Sequence, residues 1–458
     1  MLYFREEEKR VLHQFAESAT DIAMAVYGRR RTGKTCLMMD FYNSFSEMNP
    51  CVYYQCTSLD YGSCLKDFIE VLKPMIPETT LLERMLSFRE VFQYLSQIGI
   101  KGKIFILDEF PFLAKKSDNV AVEFQWIIDH GLGGNKLILL GSSLSFMKRQ
   151  IGDREAPLYG RFNKVLELHP FSFQEVYQLF PHFEDAVAVY ARTGGVAQYV
   201  MLYHRYESVE VGDRELFFHP NGSLFQEADN LLMQELREVS TYAGVLRAIG
   251  SGEKESGQIA SRCGLDARAV FTYLSKLMDL NIVSLAENPL VEKKRNARYI
   301  ISDLLYRFHF TFIEPRISMI TTLREKAMPY ILNHQYDEYL GFVYESIIRG
   351  QCYYYGLDGT LPFMPLSVGK WWGNIQECGE WKESEVDVIA YDERRFVAGE
   401  CKYRTKAAGV EELERLKLKA QFLPTKGREL FYLIASKSGF TEELQKFRDP
   451  HVILIDQV

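Results

Sequence analysis

Residues 22–35 read Ile22-Ala23-Met24-Ala25-Val26-Tyr27-Gly28-Arg29-Arg30-Arg31-Thr32-Gly33-Lys34-Thr35, and this stretch decides the fold. The apolar run predicts a short buried strand, and Cys36-Leu37-Met38-Met39-Asp40-Phe41-Tyr42 behind it predicts a helix. Between the two stands G-x-x-x-x-G-K-T. Its glycines let the backbone turn tightly so that N–H groups face an anion, and the helix adds the positive end of its dipole. Lys34 offers a point charge to the β- and γ-phosphates of a nucleotide, and the Thr35 hydroxyl offers a ligand to Mg²⁺. A glycine- and lysine-bearing surface turn is the bland alternative, and strand, spacing and helix together speak against it.

Further along, Lys103-Ile104-Phe105-Ile106-Leu107-Asp108-Glu109 is an apolar strand ending in two carboxylates. Asp108 is placed to hold Mg²⁺ through water and Glu109 to polarise an attacking water, although two acids also suit a solvated strand end. Cys51–Cys56 and Lys136–Ser143 read as two more strands, with helical stretches near 62–73, 82–98 and 119–130. Alternation of this kind predicts a parallel sheet with right-handed crossovers and ligands at the carboxyl ends of the strands. Ser142 and Ser143 either touch the γ-phosphate or attacking water, or cap the next helix.

The chain has 458 residues, enough for two to four units. With 47% hydrophobic and 25% charged residues it has the composition of an ordinary soluble globular protein. A formal charge of -7 argues against a generally basic nucleic-acid coat while leaving room for a local basic patch. No apolar run is as long as a membrane span, and the first residues lack a signal-peptide pattern. The eight cysteines form no Cys-x-x-Cys pair and no zinc-spaced cluster, so a reducing, cytoplasmic compartment is expected.

With these motifs in hand, the N-terminal part resembles the archaeal-type ATPases of the AAA/STAND group of P-loop NTPases. The likeness rests on Phe4-Arg5-Glu6-Glu7-Glu8, the GRRRTGKT loop, the strand ending Ile106-Leu107-Asp108-Glu109-Phe110, the strand ending Leu140-Gly141-Ser142-Ser143, and Pro157-Leu158-Tyr159-Gly160-Arg161. It implies an ATP site formed by Gly28, Arg29, Thr32, Gly33, Lys34, Thr35 and Cys36, with Asp108 and Ser142 opposite. Thr35 and Asp108 would hold Mg²⁺, and Glu109 would be the catalytic carboxylate that polarises the attacking water. Arg161 would sense the γ-phosphate in cis or from a neighbouring subunit, or else be a salt-bridged surface arginine. Thr193-Gly194-Gly195-Val196-Ala197-Gln198-Tyr199 resembles the family's lid element, with Ala197 where proline is usual.

From about 237 the periodicity is helical and the pieces are short. Tyr242–Ile249, Gly257–Gly264 and Ala269–Leu277 read as helices; Leu280–Val283 and Arg298–Ile301 follow as a strand pair. Helix, turn, helix and β-wing is the winged-helix pattern. The basic wing Glu292–Arg298 suits DNA phosphates, and the module serves equally for protein docking.

In the last quarter Phe342–Ile348 is an amphipathic helix carrying Glu345. Glu385–Tyr391 and Phe396–Tyr403 alternate like a hairpin around Asp392-Glu393-Arg394-Arg395. The hairpin brings Asp387 near Glu400 and Lys402, which share one face of their strand. Two carboxylates can hold Mg²⁺ or Mn²⁺, and a lysine can orient water or offset transition-state charge. The pattern resembles the PD-(D/E)xK restriction-endonuclease-like fold, in the form appended to archaeal-type ATPases. That likeness implies a metal site of Glu345, Asp387 and Glu400, with Asp387, Glu400 and Lys402 catalytic. Trp371, Trp372 and Trp381 fit either base stacking or core packing.

The expected architecture is α/β. A P-loop ATPase domain with a parallel sheet spans 1–170 and a helical lid 171–235. A winged-helix domain spans 236–315, a linker with helical stretches 316–340, and a nuclease-like α/β domain 341–458. The expected function is an ATP-hydrolysing switch for a DNA-directed, metal-dependent nuclease-like domain. In the alternative, that domain only binds DNA or a protein partner. Homo-oligomers or a regulatory protein are compatible with either, and no membrane partner is expected.

Overall fold

The first sheet assembles from five short strands whose side chains divide between two cores. β1 (Ala23–Tyr27), β2 (Cys51–Gln55), β3 (Ile104–Asp108), β4 (Lys136–Gly141) and β5 (Lys164–Glu167) lie in the order β2-β3-β4-β1-β5. Every pairing is parallel. The computed structural model describes residues 3–45, 50–57, 60–76, 79–114, 119–286, 288–290, 297–377 and 379–456. Along β3, Phe105 and Leu107 join a core with Phe68, Phe88, Phe92 and Phe124. Ile104 and Ile106 join the opposite core with Leu12, Phe15, Leu37 and Phe41. A strand covered on both faces reads as one continuous apolar run, which is why β1 and β3 look alike in sequence. Because all strands run the same way, Gly28 after β1, Asp108 at the end of β3 and Ser142 after β4 reach one edge.

The chain divides into two compact units, one of Met1–Ser172 with Val196–Met201, the other of Phe173–Gly195 with Leu202–Val458. In the second unit, Arg192 closes the helix Phe183–Thr193 with a buried ion pair. Its Nη2 donates to Asp213 at 2.6 Å and its Nη1 to the Tyr336 hydroxyl at 2.5 Å. Tyr203 donates to the other Asp213 oxygen at 2.6 Å. Few charges are tolerated in such a place unless paired this completely.

Three helices follow, Val239–Gly250, Ser256–Cys263 and Ala267–Asp279, then an antiparallel pair β6 (Val283–Leu285) and β7 (Tyr299–Ile301). Gly264 ends the second helix in the left-handed region at φ 65, where glycine costs least. Asp266 caps the third by accepting from the Arg268 and Ala269 N–H groups. Of the expected basic wing, Glu292-Lys293-Lys294-Arg295-Asn296 lies outside the described residues. Its flanks are engaged with the C-terminal sheet. Arg298 pairs with Glu383 and, at 2.8 Å, with Glu385, and stacks over Trp372. Leu290 packs on the C-terminal core, and Tyr391 donates to the Pro289 carbonyl at 3.1 Å. Arg298, expected to face phosphates, is thus committed to carboxylates of its own chain.

Most of 316–340 is helical, and the helix carrying Glu345 begins at His334 and runs to Leu357. It is followed by β8 (Ser367–Glu377), β9 (Glu380–Tyr391), β10 (Arg395–Lys402), β11 (Glu429–Ser436) and β12 (Val452–Asp456), ordered β12-β11-β10-β9-β8. β8, β9 and β10 form an antiparallel meander, whereas β10, β11 and β12 are parallel. The switch to parallel pairing requires a crossover, supplied by the helix Val410–Ala420. Trp371 is buried in this sheet's core, Trp372 is half-buried, and Trp381 is 66% exposed.

Candidate functional site

The first site is held by backbone geometry before any side chain is considered. A Cβ on Gly28 would stand 2.3 Å from the Leu168 carbonyl oxygen, so only glycine fits there. Gly33 takes φ 96 as it caps the helix Lys34–Ser44. The loop is braced from outside the motif. Arg5, 4% exposed, donates to the Thr32 carbonyl at 3.2 Å and the His169 carbonyl at 2.8 Å. The Gln198 N–H donates to the Arg31 carbonyl at 3.1 Å, at the start of the helix Ala197–Tyr203. Within the loop, Thr32 donates to the Arg29 carbonyl at 2.8 Å. Lys34 is buried and donates to the Gly28 and Arg29 carbonyls at 2.8 and 2.9 Å. Cys36, by contrast, is exposed.

Thr35 and Asp108 are in direct contact, the hydroxyl donating to Asp108 Oδ2 at 2.8 Å. The same oxygen accepts from the Tyr53 hydroxyl at 2.7 Å, and Oδ1 accepts from the Glu109 N–H at 2.8 Å. Burial, and then the neighbouring Asp108, push the Tyr53 hydroxyl well above its ordinary value. Glu109 sits at φ 54, a left-handed conformation that a non-glycine residue adopts at a cost of about 1–3 kcal/mol. That twist turns its carboxylate back along the sheet edge, where Ser142 Oγ donates to Oε2 at 2.7 Å. Ser143 is the N-cap residue of the helix Leu144–Gly152, without a side-chain cap bond. Arg161 is taken up by Asp129 at 3.4 Å and by the Tyr159 carbonyl at 2.9 Å. A hydroxyl and a carboxylate already in contact form a hard-oxygen donor set, which fits Mg²⁺.

The second site lies at the end of the β9–β10 ladder, beside its last rung, Val388 opposite Gly399. Asp387 Oδ2 accepts from the Cys401 N–H at 2.9 Å, which fixes it beside Glu400. Burial, and then the charges of Glu345 and Glu400, push the Asp387 carboxyl up to about 7. Glu400 is also buried, which works against its ionisation, but two lysines overrule this and hold it below the usual carboxylate range. Lys402 reaches Oε1 at 2.7 Å and Lys419 reaches Oε2 at 2.9 Å. Lys419 also donates to the Glu385 carbonyl at 3.0 Å. Glu345 stands 3.4 Å from Arg349, whose Nη1 also donates to the Asp387 carbonyl at 2.7 Å.

Asp387, Glu400 and Lys402 are therefore brought together as their spacing suggested. Among the described residues no group of three or more His, Cys, Asp or Glu side chains is assembled to hold a metal ion. Arg349 engages Glu345, and Lys402 and Lys419 engage the two oxygens of Glu400. Asp387 and Glu400 fit Mg²⁺ or Mn²⁺ once a lysine gives up an oxygen of Glu400, since such ions are commonly held by one or two carboxylates with water and phosphate completing the shell. Arg5, Tyr53 and Lys419 had no role from sequence. Arg5 stood inside a quoted motif and Lys419 on a quoted basic helix face, whereas Tyr53 carried no signal beyond its place in a strand.

Family models match parts of both halves. A family model described as an ATPase domain predominantly from Archaea matches residues 2–202. A second, described as archaeal and bacterial proteins of unknown function, matches residues 309–415. The uncharacterized protein MJECL04 of Methanocaldococcus jannaschii is 30% identical over 459 residues, covering 97% of each chain. The chain belongs to that family of archaeal-type ATPases. Among solved structures, the Aeropyrum pernix ORC1 protein in complex with DNA is 17% identical, with TM-score 0.38, over 70% of this chain and 95% of that one. The ORC2 protein of the same organism, in its ADPNP–ADP complexes, is 13% identical with TM-score 0.43, over 69% and 95%. No described helix is long and apolar enough to cross a membrane.

Proposed function

We propose that the chain is an ATP-hydrolysing switch controlling a DNA-directed, metal-dependent nuclease-like domain. In the ATPase half, Lys34 leaves its loop carbonyls for the β- and γ-phosphates. Gly28, Arg29, Thr32, Gly33 and Cys36 line the nucleotide, and Thr35 and Asp108 hold Mg²⁺, which neutralises phosphate charge. Glu109 takes the proton of the attacking water once it parts from Ser142. Arg161 meets the γ-phosphate after exchanging Asp129 for it. In the second unit, the three helices with β6 and β7 form a winged helix, and the mixed sheet is a PD-(D/E)xK fold. There Asp387 and Glu400 hold the metal, while Lys402 orients the attacking water and offsets charge on the phosphate. Glu345 supplies the charge that keeps Asp387 poised for a cation.

The observation that carries this reading is Asp387, buried and shifted to about 7, beside a Glu400 held by Lys402. Perturbed carboxylates of this kind concentrate at functional sites. Coupling between the halves rests on connectivity. The chain passes between its two units at 172/173, 195/196 and 201/202, and the middle stretch carries Gln198, which grips the phosphate loop.

A plasmid-nicking assay in Mn²⁺ tests the nuclease reading. Cleavage by the wild type that is lost in Asp387→Ala and in Lys402→Ala is expected; equal nicking by all three proteins would overturn it. A second reading, binding of DNA or a protein partner without cleavage, is favoured by the ion pairs that occupy Glu345 and Glu400. It predicts DNA affinity with no nicking under any metal.

A further inference from the structure

A cleft of about 320 Å³ opens in the second unit, and none of Asp387, Glu400 and Lys402 lines it. Its walls are the carboxyl end of the helix Val239–Gly250, the end of β7, the helical run Leu304–Ile313 and the first half of the helix His334–Leu357. Part of that run, His309–Ile313, is a π-turn, a rare form that recurs at functional sites. Ile249, Ile301 and Phe342 give the cleft apolar surface. Its size stands at the small end of ligand-binding cavities.

Arg307 gives the cleft its chemistry, and Arg192 shows by contrast what Arg307 lacks. Both guanidiniums lie over aromatic rings, Arg192 at 5.0 Å from the Tyr336 centroid and Arg307 at 3.4 Å from that of Phe342. Arg192 donates to Asp213, to the Tyr336 hydroxyl and to the Ala188 carbonyl. Burial opposes its charge, yet Asp213 and its neighbours lift its proton affinity above the ordinary value. Arg307 has no carboxylate paired with it among the described residues. Its one hydrogen bond runs from Nη1 to the Ile301 carbonyl, a long 3.5 Å, so Nε and Nη2 are left without a partner there. Burial pulls its proton affinity down to about 10, only partly offset by Tyr339 and Glu345, and it stays charged at neutral pH. A cation drawn out of water and left unpaired is costly, and a carboxylate supplied from outside the chain would relieve that cost. Thr311, four residues on, lines the same space, and its hydroxyl too has no partner among the described residues.

The missing partner is defined in shape and in charge. A guanidinium stacked on a ring keeps its edge for a planar, bidentate acceptor, and a carboxylate has that shape. One cation balances one negative charge, and Glu338, exposed and lining the same cleft, opposes a second. We propose that this cleft binds a small monocarboxylate with an apolar body, its carboxylate held by Nε and Nη2 of Arg307 and its body against Ile249 and Ile301. The site does not depend on whether the C-terminal sheet cleaves DNA.

Equilibrium dialysis and thermal shift on the full chain test it, with 4-methylpentanoate, benzoate and 3-phenylpropanoate as probes. Their neutral amides and inorganic phosphate are the comparisons. At least one carboxylate should bind and raise Tm at up to about 10 mM, and its amide should bind at least about tenfold more weakly. Arg307→Met should lower carboxylate affinity about tenfold, to the level of the amide. Arg307→Lys, which keeps the charge and loses the fork, should fall between. The amide comparison uses the wild-type protein, so it stays decisive where a variant fails to fold. Four results would overturn the proposal: no carboxylate bound to the folded protein, equal binding of a carboxylate and its amide, undiminished carboxylate binding by folded Arg307→Met, or inorganic phosphate outcompeting every carboxylate.

Discussion

The two acidic sites are built from the same residue type and are neutralised in opposite ways. Around Asp108 and Glu109 the partners are hydroxyls and an N–H group, from Thr35, Tyr53, Ser142 and the Glu109 backbone. Around Asp387 and Glu400 they include Lys402 and Lys419, with Arg349 at Glu345. Neutral donors hold a carboxylate in place without cancelling its charge, which under the proposed function leaves the first site ready for a cation that arrives with the nucleotide. Resident lysines cancel much of that charge, so under the proposed function a metal or a phosphate would have to displace them at the second site. The contrast teaches that a pair of acids in a sequence says little about a site until its partners are known.

Lys34→Ala is the largest expected effect, because it removes the cation from the phosphate loop. Nucleotide binding should fall below detection in a filter-binding or fluorescent-nucleotide assay, while DNA binding by the second unit persists. Next, Glu109→Gln keeps the shape and loses the base. Turnover should drop by about 10²–10⁴ with ATP still bound; equal turnover in mutant and wild type would remove Glu109 from its role.

At the second site, Lys419→Ala should destabilise by about 1.5–3 kcal/mol, the worth of a charge-assisted hydrogen bond to a buried carboxylate. Chemical denaturation measures this. An unchanged midpoint would mean that Lys402 alone satisfies Glu400. The second site should respond to pH as well. A carboxyl raised from 3.8 to about 7 contributes stability that is lost as pH rises across that window. The metal-free protein should therefore melt lower at pH 8 than at pH 5. Asp387→Asn should flatten the slope, and Mg²⁺ should restore stability at the higher pH. Tyr53→Phe is the smallest effect, about 1 kcal/mol of stability with nucleotide binding retained, because Thr35 and the Glu109 N–H still hold Asp108.

The parts that were legible in sequence are those whose information is local. The phosphate loop, the apolar run ending in Asp108-Glu109 and the Glu400-x-Lys402 pair each lie within a few residues, where spacing alone determines which side chains share a turn or a face. The braces were not legible. Arg5 reaches Thr32 across 27 positions, Tyr53 reaches Asp108 across 55, and Lys419 reaches Glu400 across 19, and each contact exists only after strands and helices have packed. Arg298 misled for the same reason. A basic residue at the foot of a wing suggests phosphate, until the fold places Glu383 and Glu385 beside it. The helix that carries Glu345 begins at His334, before Gly341 where the compact pattern was expected to resume, and Tyr336 and Tyr339 stack within it.

The central claim is that the nucleotide governs the second site, and DNA cleavage in Mn²⁺ by the Glu109→Gln protein tests it most directly. ATP trapped on this variant should change the cleavage rate at least about tenfold relative to the same protein without nucleotide, while Lys34→Ala shows no response. Identical rates in Glu109→Gln with and without ATP, in a protein that cleaves and binds ATP, would contradict the account.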